Sequence, residues 1–318
     1  MAKKVAVVAI GGNSLIKDKA HQSCEDQYLA AKETAKHIVD MIEAGWEVVV
    51  GHGNGPQVGF ILQKAELAEK EVNLAMASLD VCGAQSQGQI GYMLAQNLQN
   101  ELKRRKIEKS VACVLEQTIV DKDDPAFKKP TKPIGGFMGE SEAKAKAEAE
   151  GWTVVEDAGR GWRRVVASPL PKEIVELEAI RSLIEAGVVT ISIGGGGIPV
   201  IRDDNGDLEG VAAVIDKDFG NSLLAREIKA DLLLISTAVE KVAINYGTAE
   251  EKWLDRMTLA EAKAYLAEGK HFKSGSMAPK IQACIWFLEA GGKQALITNP
   301  ENIGRALKGE SGTLITCN

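Results

Sequence analysis

VAVVAIGGN occupies residues 5–13, where six apolar residues run directly into two glycines and an asparagine. A continuous apolar run of this kind is typical of a strand buried on both faces of a parallel sheet. Glycines at the end of such a strand leave backbone N–H groups free to converge on an anion, and a following helix adds positive potential at its N-terminus. The stretch therefore predicts a βα unit with an anion-binding turn at Gly11, Gly12 and Asn13.

Three further glycine turns follow the same pattern. Gly53-Asn54-Gly55 comes after an apolar run at 48–50, the glycines at 194–197 come after one at 188–193, and Gly275-Ser276 lies nearer the C-terminus. For any one turn, the alternative is a tight strand-to-helix connection that needs glycine only for its backbone angles. Four such turns in one chain, two of them with asparagine, favour phosphate binding.

Apolar periodicity alternates between strand and helix along most of the chain. Strands are predicted at 5–10, 47–50, 111–115, 188–193, 232–235, 295–298 and 314–316, and helices at 27–44, 84–106, 172–186, 219–229, 259–269 and 279–290. Thr258 and Glu261 form a capping box at the start of one of these helices. The alternation predicts an α/β fold with a parallel sheet, and 318 residues suffice for one large domain or two lobes.

Residues 121–167 interrupt this alternation. Three of the nine prolines fall within 125–133 beside three lysines, a lysine- and glutamate-rich helix follows, and 152–155 with 163–167 alternate like a hairpin. The insertion predicts a lid or binding element, with a solvated loop as the alternative. The polar turn at 202–207 predicts a boundary between an N-terminal lobe at 1–208, which includes the insertion, and a C-terminal lobe at 209–318.

The composition disfavours several classes of function. A net charge of −6 and 5% aromatic residues argue against a nucleic-acid partner. Five scattered cysteines without CxxC spacing imply neither a disulfide framework nor a zinc site, and they fit a reducing cytoplasm. No signal-peptide core and no apolar run of membrane-spanning length is found, so we expect no membrane partner and a cytoplasmic location.

Two lysines stand in motifs that suit phosphate chemistry. Lys217 lies between Asp216 and Asp218 directly after an apolar run, and Lys280 follows Pro279 at the start of a predicted helix. Open α/β sheets bind ligands at strand ends, whereas a solvated loop with Asp218 as helix N-cap is the alternative. For Lys280 the alternative is a plain helix N-terminus, but the helix dipole disfavours a cation there. A bound phosphate would relieve that mismatch.

The sequence shows no evident catalytic base. None of the four histidines lies in a catalytic motif, and His52 at a strand end suits a structural hydrogen bond. Phosphoryl transfer to an alcohol generally needs a base, whereas a carboxylate or phosphate acceptor is already ionised. We therefore expect an oxyanion acceptor, with lysines, glycine N–H groups and Mg²⁺ neutralising the charge. P-loop, GxGxxG and GxSxG patterns are absent from the sequence.

Seven ordered blocks, spread over essentially the whole chain, resemble motifs of the carbamate kinase family within the amino acid kinase superfamily. They are AIGGN at 9–13, HGNGPQVG at 52–59, PTKP at 130–133, GRGWRRVV at 159–166, GGGGIPV at 194–200, AVIDKD at 213–218 and GSMAPK at 275–280. The resemblance implies an open αβα sandwich with a mainly parallel central sheet and a small protruding subdomain at about 121–167, usually as a homodimer. It implies phosphoryl transfer between ATP and carbamate with Mg²⁺ on the nucleotide, often run toward ATP synthesis in fermentative arginine or purine breakdown.

The resemblance also assigns roles to residues, with the acceptor on the N-terminal lobe and the nucleotide on the C-terminal lobe. Substrate binding is implied for Gly11, Gly12, Asn13, Gly53, Asn54, Gly55 and Lys132. Nucleotide binding is implied for Gly195, Gly196, Lys217, Thr237, Val239, Tyr246, Gly275, Met277, Pro279 and Lys280. The catalytic set is Lys217, Lys280, Asp216, Lys132 and Gly12, in which Asp216 orients the lysines. No residue is assigned to hold a metal.

Three positions depart from the pattern of many relatives. The chain has Ala238 where they have aspartate, Gly136 where they have proline and Ala278 where they have glycine, and none of these changes removes a lysine. Two other functions stay open at this point. One is transfer to another small acid, such as an amino acid carboxylate or a nucleoside monophosphate, and the other is a catalytically silent nucleotide- or metabolite-binding regulator.

Overall fold

The computed structural model describes residues 3–11, 15–16, 20–156 and 161–318. The strands are β1 (Lys4–Ile10), β2 (Trp46–His52), β3 (Val111–Cys113), β4 (Gln117–Val120), β5 (Lys132–Met138), β6 (Thr153–Glu156), β7 (Trp162–Val166), β8 (Pro171–Ile174), β9 (Val189–Ile191), β10 (Ile198–Arg202), β11 (Leu208–Gly210), β12 (Leu232–Ser236), β13 (Val242–Ile244), β14 (Lys252–Leu254), β15 (Arg256–Thr258), β16 (Gln294–Thr298) and β17 (Thr313–Thr316). The α-helices are α1 (Cys24–Glu43), α2 (Gly55–Val72), α3 (Leu79–Arg104), α4 (Glu140–Glu150), α5 (Leu177–Glu185), α6 (Lys217–Glu227), α7 (Leu259–Ala267), α8 (Met277–Glu289) and α9 (Ile303–Ala306).

An eight-stranded sheet forms the centre of the molecule, in the order β15-β17-β16-β12-β1-β2-β9-β3. Its neighbouring strands are parallel, except that β16 and β17 are antiparallel. β1 pairs with β12 on one side and with β2 on the other, so strands from both halves of the sequence share one sheet. The predicted α/β fold with a mainly parallel sheet is confirmed.

Side chains of β1 alternate between two buried cores, because successive residues of a strand point to opposite faces. Ala6, Val8 and Ile10 belong to the core that also contains apolar residues of α1 and α3. Val7 and Ala9 belong to the core that contains those of α6 and α8. Helices therefore cover both faces of the sheet, which gives the open αβα sandwich.

Residues 121–167 contain the small subdomain. β5, β7 and β6 pair antiparallel in that order, and α4 packs against β6 and β7. The predicted hairpin is confirmed as the pairing of β6 with β7. The subdomain meets the body where α2 packs on β5, at a contact so close that a Cβ on Gly59 would lie 2.3 Å from the Cα of Gly135.

The helix predicted at 172–186 is wrong at its start. Pro171–Ile174 forms β8, which pairs with β4, and α5 begins only at Leu177. The carboxylate of Glu176 accepts the backbone N–H of Gln117 at 2.7 Å, which extends the contact with β4 and holds the chain out of the helix. Residues 55–72, which the periodicity left unassigned, form α2. The polar turn at 202–207 connects β10 to β11 as an antiparallel hairpin.

Three general observations bear on the class of protein. Within the described ranges, no helix has both the length and the apolar character needed to cross a bilayer. The five cysteines are free thiols, of which Cys82 and Cys284 are buried. The same part of the chain has no group of three or more His, Cys, Asp or Glu side chains arranged to hold a metal ion.

Candidate active site

The two predicted lysines of the C-terminal half lie in the first turns of two helices. α6 starts at Lys217, and its N-cap is Asp216, whose Oδ1 accepts the backbone N–H of Asp218 at 2.9 Å. Lys280 lies in the first turn of α8. Both helices start near the carboxyl edge of the central sheet, so their N-terminal ends bring both lysines to the edge where such sheets bind ligands.

Contacts between α6 and α8 fix the spacing of these lysines. Ser222 Oγ donates to the backbone carbonyl of Ala283 at 2.8 Å, and both residues are buried. The rings of Phe219 and Trp286 lie 4.8 Å apart between centroids. A buried hydrogen bond and an aromatic contact thus hold the two helices as one unit.

A single buried carboxylate joins the two lysines. Asp218 is 2% exposed, its Oδ2 accepts Lys280 Nζ at 2.8 Å, and its Oδ1 accepts Lys217 Nζ. Burial alone would raise the pKa of Asp218, but the two ammonium groups hold it well below its usual range. Burial lowers the pKa of Lys217, whereas the attraction of Asp218 outweighs burial and raises the pKa of Lys280. With all three groups ionised, the cluster has one net positive charge.

The subdomain contributes a third lysine to this cluster. Lys132, the first residue of β5, donates from Nζ to Asp216 Oδ2 at 2.6 Å. The orienting role predicted for Asp216 needs correction, because Asp216 holds Lys132 while Asp218 holds the other two lysines. The alternative of Asp218 as helix N-cap is wrong, since Asp216 occupies that position. The two aspartates of the AVIDKD motif, Asp216 and Asp218, therefore bind three lysines between them.

A cleft of about 910 Å³ opens beside the lysines. Residues predicted from the sequence form part of its wall, namely Gly11, Lys217, Thr237, Val239, Gly275, Met277 and Lys280. The rest of the wall consists of Ala30, Glu33, Thr34, His37, Ser236, Ala238, Ser276, Asn299, Pro300 and Glu301. The cleft runs along the carboxyl ends of β1, β12 and β16, and its volume suits a ligand of cofactor size.

Some predicted residues lie away from this wall. Tyr246 is 52% exposed and packs edge-on against the ring of a neighbouring tryptophan. Pro279 lies in the first turn of α8 and does not line the cleft. Gly195 and Gly196 are buried in the connection between β9 and β10. Gly12 and Asn13 lie outside the described residues.

The glycine turn after β2 lies beside the end of β1. The backbone N–H of Gly53 donates to the carbonyl of Ile10 at 2.8 Å, which joins the two strand ends. Asn54 is buried, and its Nδ2 donates to Ser86 Oγ at 2.8 Å. Gly55 is the first residue of α2. The turn predicted to face the acceptor is therefore held in place by both a strand and a helix.

His52 is buried at the end of β2. Its Nδ1 donates to the carbonyl of Gly53 at 3.2 Å. Burial lowers the pKa of His52 to about 4, so the ring is neutral at pH 7. The hydrogen bond agrees with the structural role that the sequence suggests.

The tetraglycine turn, residues 194–197, packs between the turn after β2 and the start of α6. A Cβ on Gly195 would lie 2.1 Å from Asn54 Nδ2, and one on Gly196 would lie 3.1 Å from the carbonyl oxygen of Asp216. The φ angles of these two glycines are +69° and +92°, which other residues rarely adopt. Close approach and backbone angle both require glycine here.

Comparison with known proteins identifies the family. The model of the amino acid kinase family matches residues 4–299. The carbamate kinase-like protein YahI of Escherichia coli is 52% identical over 314 residues, which are 98% of this chain and 99% of that protein. The carbamate kinase of Thermococcus kodakarensis is 50% identical over 313 residues, with 98% and 99% covered. This chain belongs to the carbamate kinase group of the amino acid kinase family.

A solved structure of that family agrees over the whole fold. The carbamate kinase from Giardia lamblia bound to AMP-PNP superposes with a TM-score of 0.91 at 42% identity, and the match covers 99% of each chain. The agreement confirms the amino acid kinase fold, subdomain included.

Sequence reasoning about this family member missed two carboxyl groups. A signal for Asp218 was present, because two lysines brought into one buried site require a counter-charge and Asp218 is adjacent to Lys217. Glu116 gave a weaker signal, as a single acidic residue inside the mostly apolar run VACVLEQTIV at 111–120. It is 0% exposed and lies beneath the tetraglycine turn.

Proposed function

We propose that the protein is a carbamate kinase, which transfers the γ-phosphoryl group of ATP to carbamate and reversibly gives ADP and carbamoyl phosphate. The convergence of Lys217 and Lys280 on Asp218 beside the cleft carries this proposal. The carbamate kinases among the relatives and the fold shared with them support carbamate as the acceptor.

Charge neutralisation is the task of the lysines in this proposal. ATP and carbamate are both anions, and the transition state spreads negative charge over the oxygens of the phosphoryl group. Ammonium groups already fixed in a buried site stabilise that charge without reorganisation during the reaction. Asp218 reduces the repulsion between Lys217 and Lys280 and directs both toward one point. Because the carbamate oxygen is already ionised, no proton has to be removed from it.

The two lobes would divide the substrates between them. We place the nucleotide in the cleft, against the part of its wall that belongs to the C-terminal lobe, residues 209–318. We place the acceptor on the glycine turns at 11–13 and 53–55 of the N-terminal lobe, residues 1–208. Lys132 would approach the acceptor from the subdomain. Transfer is in line between the two substrates, without a covalent enzyme intermediate.

Mg²⁺ would enter with the nucleotide. The carboxylates nearest the lysines, Asp216 and Asp218, accept hydrogen bonds from lysines, and no group of three or more metal-binding side chains lies in the described ranges. This fits an ion that is held mainly by phosphate oxygens and water, as is usual for Mg²⁺ in kinases. Such an ion supplies charge neutralisation between the phosphates.

Three finer points extend the proposal. We propose that the physiological direction is ATP synthesis from carbamoyl phosphate, in fermentative arginine or purine breakdown. We propose a homodimer, which light scattering on the purified protein would test. We also propose a cytoplasmic location, which cell fractionation would test.

Coupled ATP synthesis from ADP and carbamoyl phosphate is the decisive experiment. We expect activity in the wild type and a loss of about 100- to 1,000-fold in kcat for Lys217→Ala and Lys280→Ala, because each removes one cation from the site. Lys263→Ala, on the surface of α7, is the matched control and should keep full activity. Wild-type-like rates in the two site variants would contradict the roles of their lysines.

The acceptor is tested in the forward direction. ADP release from ATP is measured with carbamate, with amino acids and with nucleoside monophosphates. Activity restricted to one of the latter groups would contradict carbamate as the substrate. Tight ATP binding without transfer in either direction would instead indicate a regulator.

A further inference from the structure

A buried carboxyl group lies beneath the tetraglycine turn, outside the lysine cluster. Glu116 connects β3 to β4, and its Oε1 lies 2.7 Å from Thr118 Oγ1, while its Oε2 lies 3.4 Å from Gln87 Nε2. The backbone N–H of Ile193 also donates to this carboxylate. The partners of Glu116 are thus a hydroxyl, an amide and a backbone N–H, in contrast to the ammonium groups around Asp218.

The same partners hold the tetraglycine turn. Gln87 Nε2 donates to the carbonyl of Gly194 at 2.9 Å, and Thr118 Oγ1 lies 3.2 Å from the carbonyl oxygen of Gly196. A Cβ on Gly197 would lie 1.9 Å from Thr118 Oγ1 and 2.6 Å from Glu116 Oε1. The turn therefore rests directly on these three side chains.

The turn needs such support because its backbone is strained. Ile193, which precedes it, has a φ of +53°, and this left-handed conformation is costly for a β-branched residue. On its other side the turn contacts Asn54 and the carbonyl of Asp216, as described above. A shift of the turn would therefore move the proposed acceptor site relative to the first turn of α6.

Thr118 can serve only one of its two acceptors at a time, because a hydroxyl has one proton. When Glu116 is ionised, the Thr118 hydroxyl donates to the carboxylate, and the Gly196 carbonyl receives no hydrogen bond from Thr118. When Glu116 is protonated, the carboxylic acid donates to Thr118 Oγ1, and the hydroxyl is free to donate to Gly196. Protonation of Glu116 thus reverses the direction of a hydrogen-bond chain that ends on the turn.

We propose that Glu116 is a positioning residue, which acts through Thr118 to hold the tetraglycine turn against Asn54 and the start of α6 when its carboxyl group is protonated. This inference rests on the proposed phosphoryl transfer and deepens it, because it names what places the acceptor relative to Lys217. Glu116 touches neither substrate. Its effect falls on acceptor binding, since the turn contacts Asn54.

Both protonation states are available near neutral pH. Burial raises the pKa of Glu116 to about 7. The titratable group whose charge acts on Glu116 is Glu176 before α5, whose carboxylate accepts the backbone and side-chain N–H groups of Gln117. His52 on β2 lies on the far side of the turn's start, 2.6 Å from where a Cβ on Gly194 would be, and its pKa of about 4 keeps it neutral. The hydrogen-bond chain that runs from Glu116 through Thr118 to the Gly196 carbonyl therefore reverses its direction around pH 7.

Two variants fix the hydrogen-bond chain between Glu116 and Gly196 in opposite states. In Glu116→Gln the side-chain N–H₂ can donate to Thr118 at every pH, as the protonated acid does. Thr118→Val keeps the shape of the side chain but removes the hydroxyl. Thr118→Ser restores the hydroxyl and is the rescue variant. Glu173→Gln, an exposed partner of Arg202, is the matched control.

The KM for carbamoyl phosphate is measured between pH 6 and 8 in ATP synthesis. In the wild type we expect it to rise about three- to tenfold through pH 7, the effect of one hydrogen bond. Glu116→Gln should keep the low value and Thr118→Val the high value throughout, with the KM for ADP unchanged. The proposal would be overturned if both variants showed the wild-type dependence of KM on pH. It would also be overturned if the variants had a lower melting temperature but an unchanged KM.

A second measurement does not depend on turnover. The amide nitrogen of Gly197 shares a peptide bond with the Gly196 carbonyl, so its NMR shift reports the hydrogen bond to that carbonyl. In the wild type we expect this chemical shift to change with pH with a midpoint of about 7, as the buried carboxyl does. In Glu116→Gln we expect it to be independent of pH. A flat wild-type titration overturns the inference even if no variant folds. Absence of ATP synthesis in a wild type that does titrate would instead contradict the proposed function.

Discussion

The two buried carboxyl groups near the site, Asp218 and Glu116, differ in their partners. Both are at most 2% exposed. Asp218 faces two ammonium groups, and its pKa is well below the usual range, whereas Glu116 faces uncharged groups, and its pKa is raised to about 7. Burial acts in the same direction on both, so the partner decides the outcome. Asp218 therefore stays ionised through neutral pH, while Glu116, which supports the tetraglycine turn, changes its protonation there.

Removing the partner of the lysines should give the largest effect. Asp218→Asn leaves two ammonium groups close together without a counter-charge, so Lys217 and Lys280 should separate or lose a proton. We expect kcat for ATP synthesis to fall by about 100- to 1,000-fold, with the circular dichroism spectrum retained. Asp255→Asn, which removes the exposed partner of Lys241, is the control. A kcat within a factor of about three of the wild type would show that Asp218 does not organise the site.

The packing of the tetraglycine turn on its support is tested by Gly197→Ala. The new Cβ would lie 1.9 Å from Thr118 Oγ1, and the residue has a φ of +101°. We expect the free energy of unfolding in urea to fall by about 3 kcal/mol. Gly206→Ala is a matched control, because its φ is +89° but no atom lies within 4 Å of the new Cβ. Equal losses in the two variants would mean that backbone strain alone, and not contact with Thr118, requires glycine.

Much of the fold could be predicted from the sequence, because buried parallel strands and amphipathic helices have distinct periods. The run at 5–10 predicts β1, and the box at Thr258 and Glu261 is present at the start of α7. The start of α5 could not be predicted, since the contact between Glu176 and Gln117 joins residues 59 apart. The same limit applies to the site. Motifs indicate which lysines matter, but they do not show that Asp218, and not Asp216, binds both Lys217 and Lys280, because that depends on how α6 and α8 pack.

The pH dependence of stability distinguishes the two carboxyl groups directly. The folded state raises the pKa of Glu116 from 4.5 to about 7, so its contribution to stability is fully present below pH 4.5 and is lost as the pH rises to 7. Between pH 5 and pH 8 the wild type should lose about 2 kcal/mol more of its free energy of unfolding than Glu116→Gln does. Urea unfolding at several pH values measures this. His52 acts in the opposite sense, because its pKa is lowered from 6.5 to about 4 in the folded state. It destabilises the fold as the pH falls from 6.5 to about 4, equally in the wild type and in Glu116→Gln.

The smallest effect is expected where a similar ion pair is exposed to water. Lys263 and Glu289 join α7 to α8 at 2.7 Å, close to the 2.8 Å between Lys280 and Asp218, but their side chains are 55% and 42% exposed. Water and salt screen such a pair, so Glu289→Gln should change the free energy of unfolding by no more than about 0.5 kcal/mol and leave kcat unchanged. Urea unfolding at low and high salt measures the first quantity. A loss above about 1.5 kcal/mol would mean that distance rather than burial sets the strength of these pairs, and would remove the reason for treating Asp218 as special.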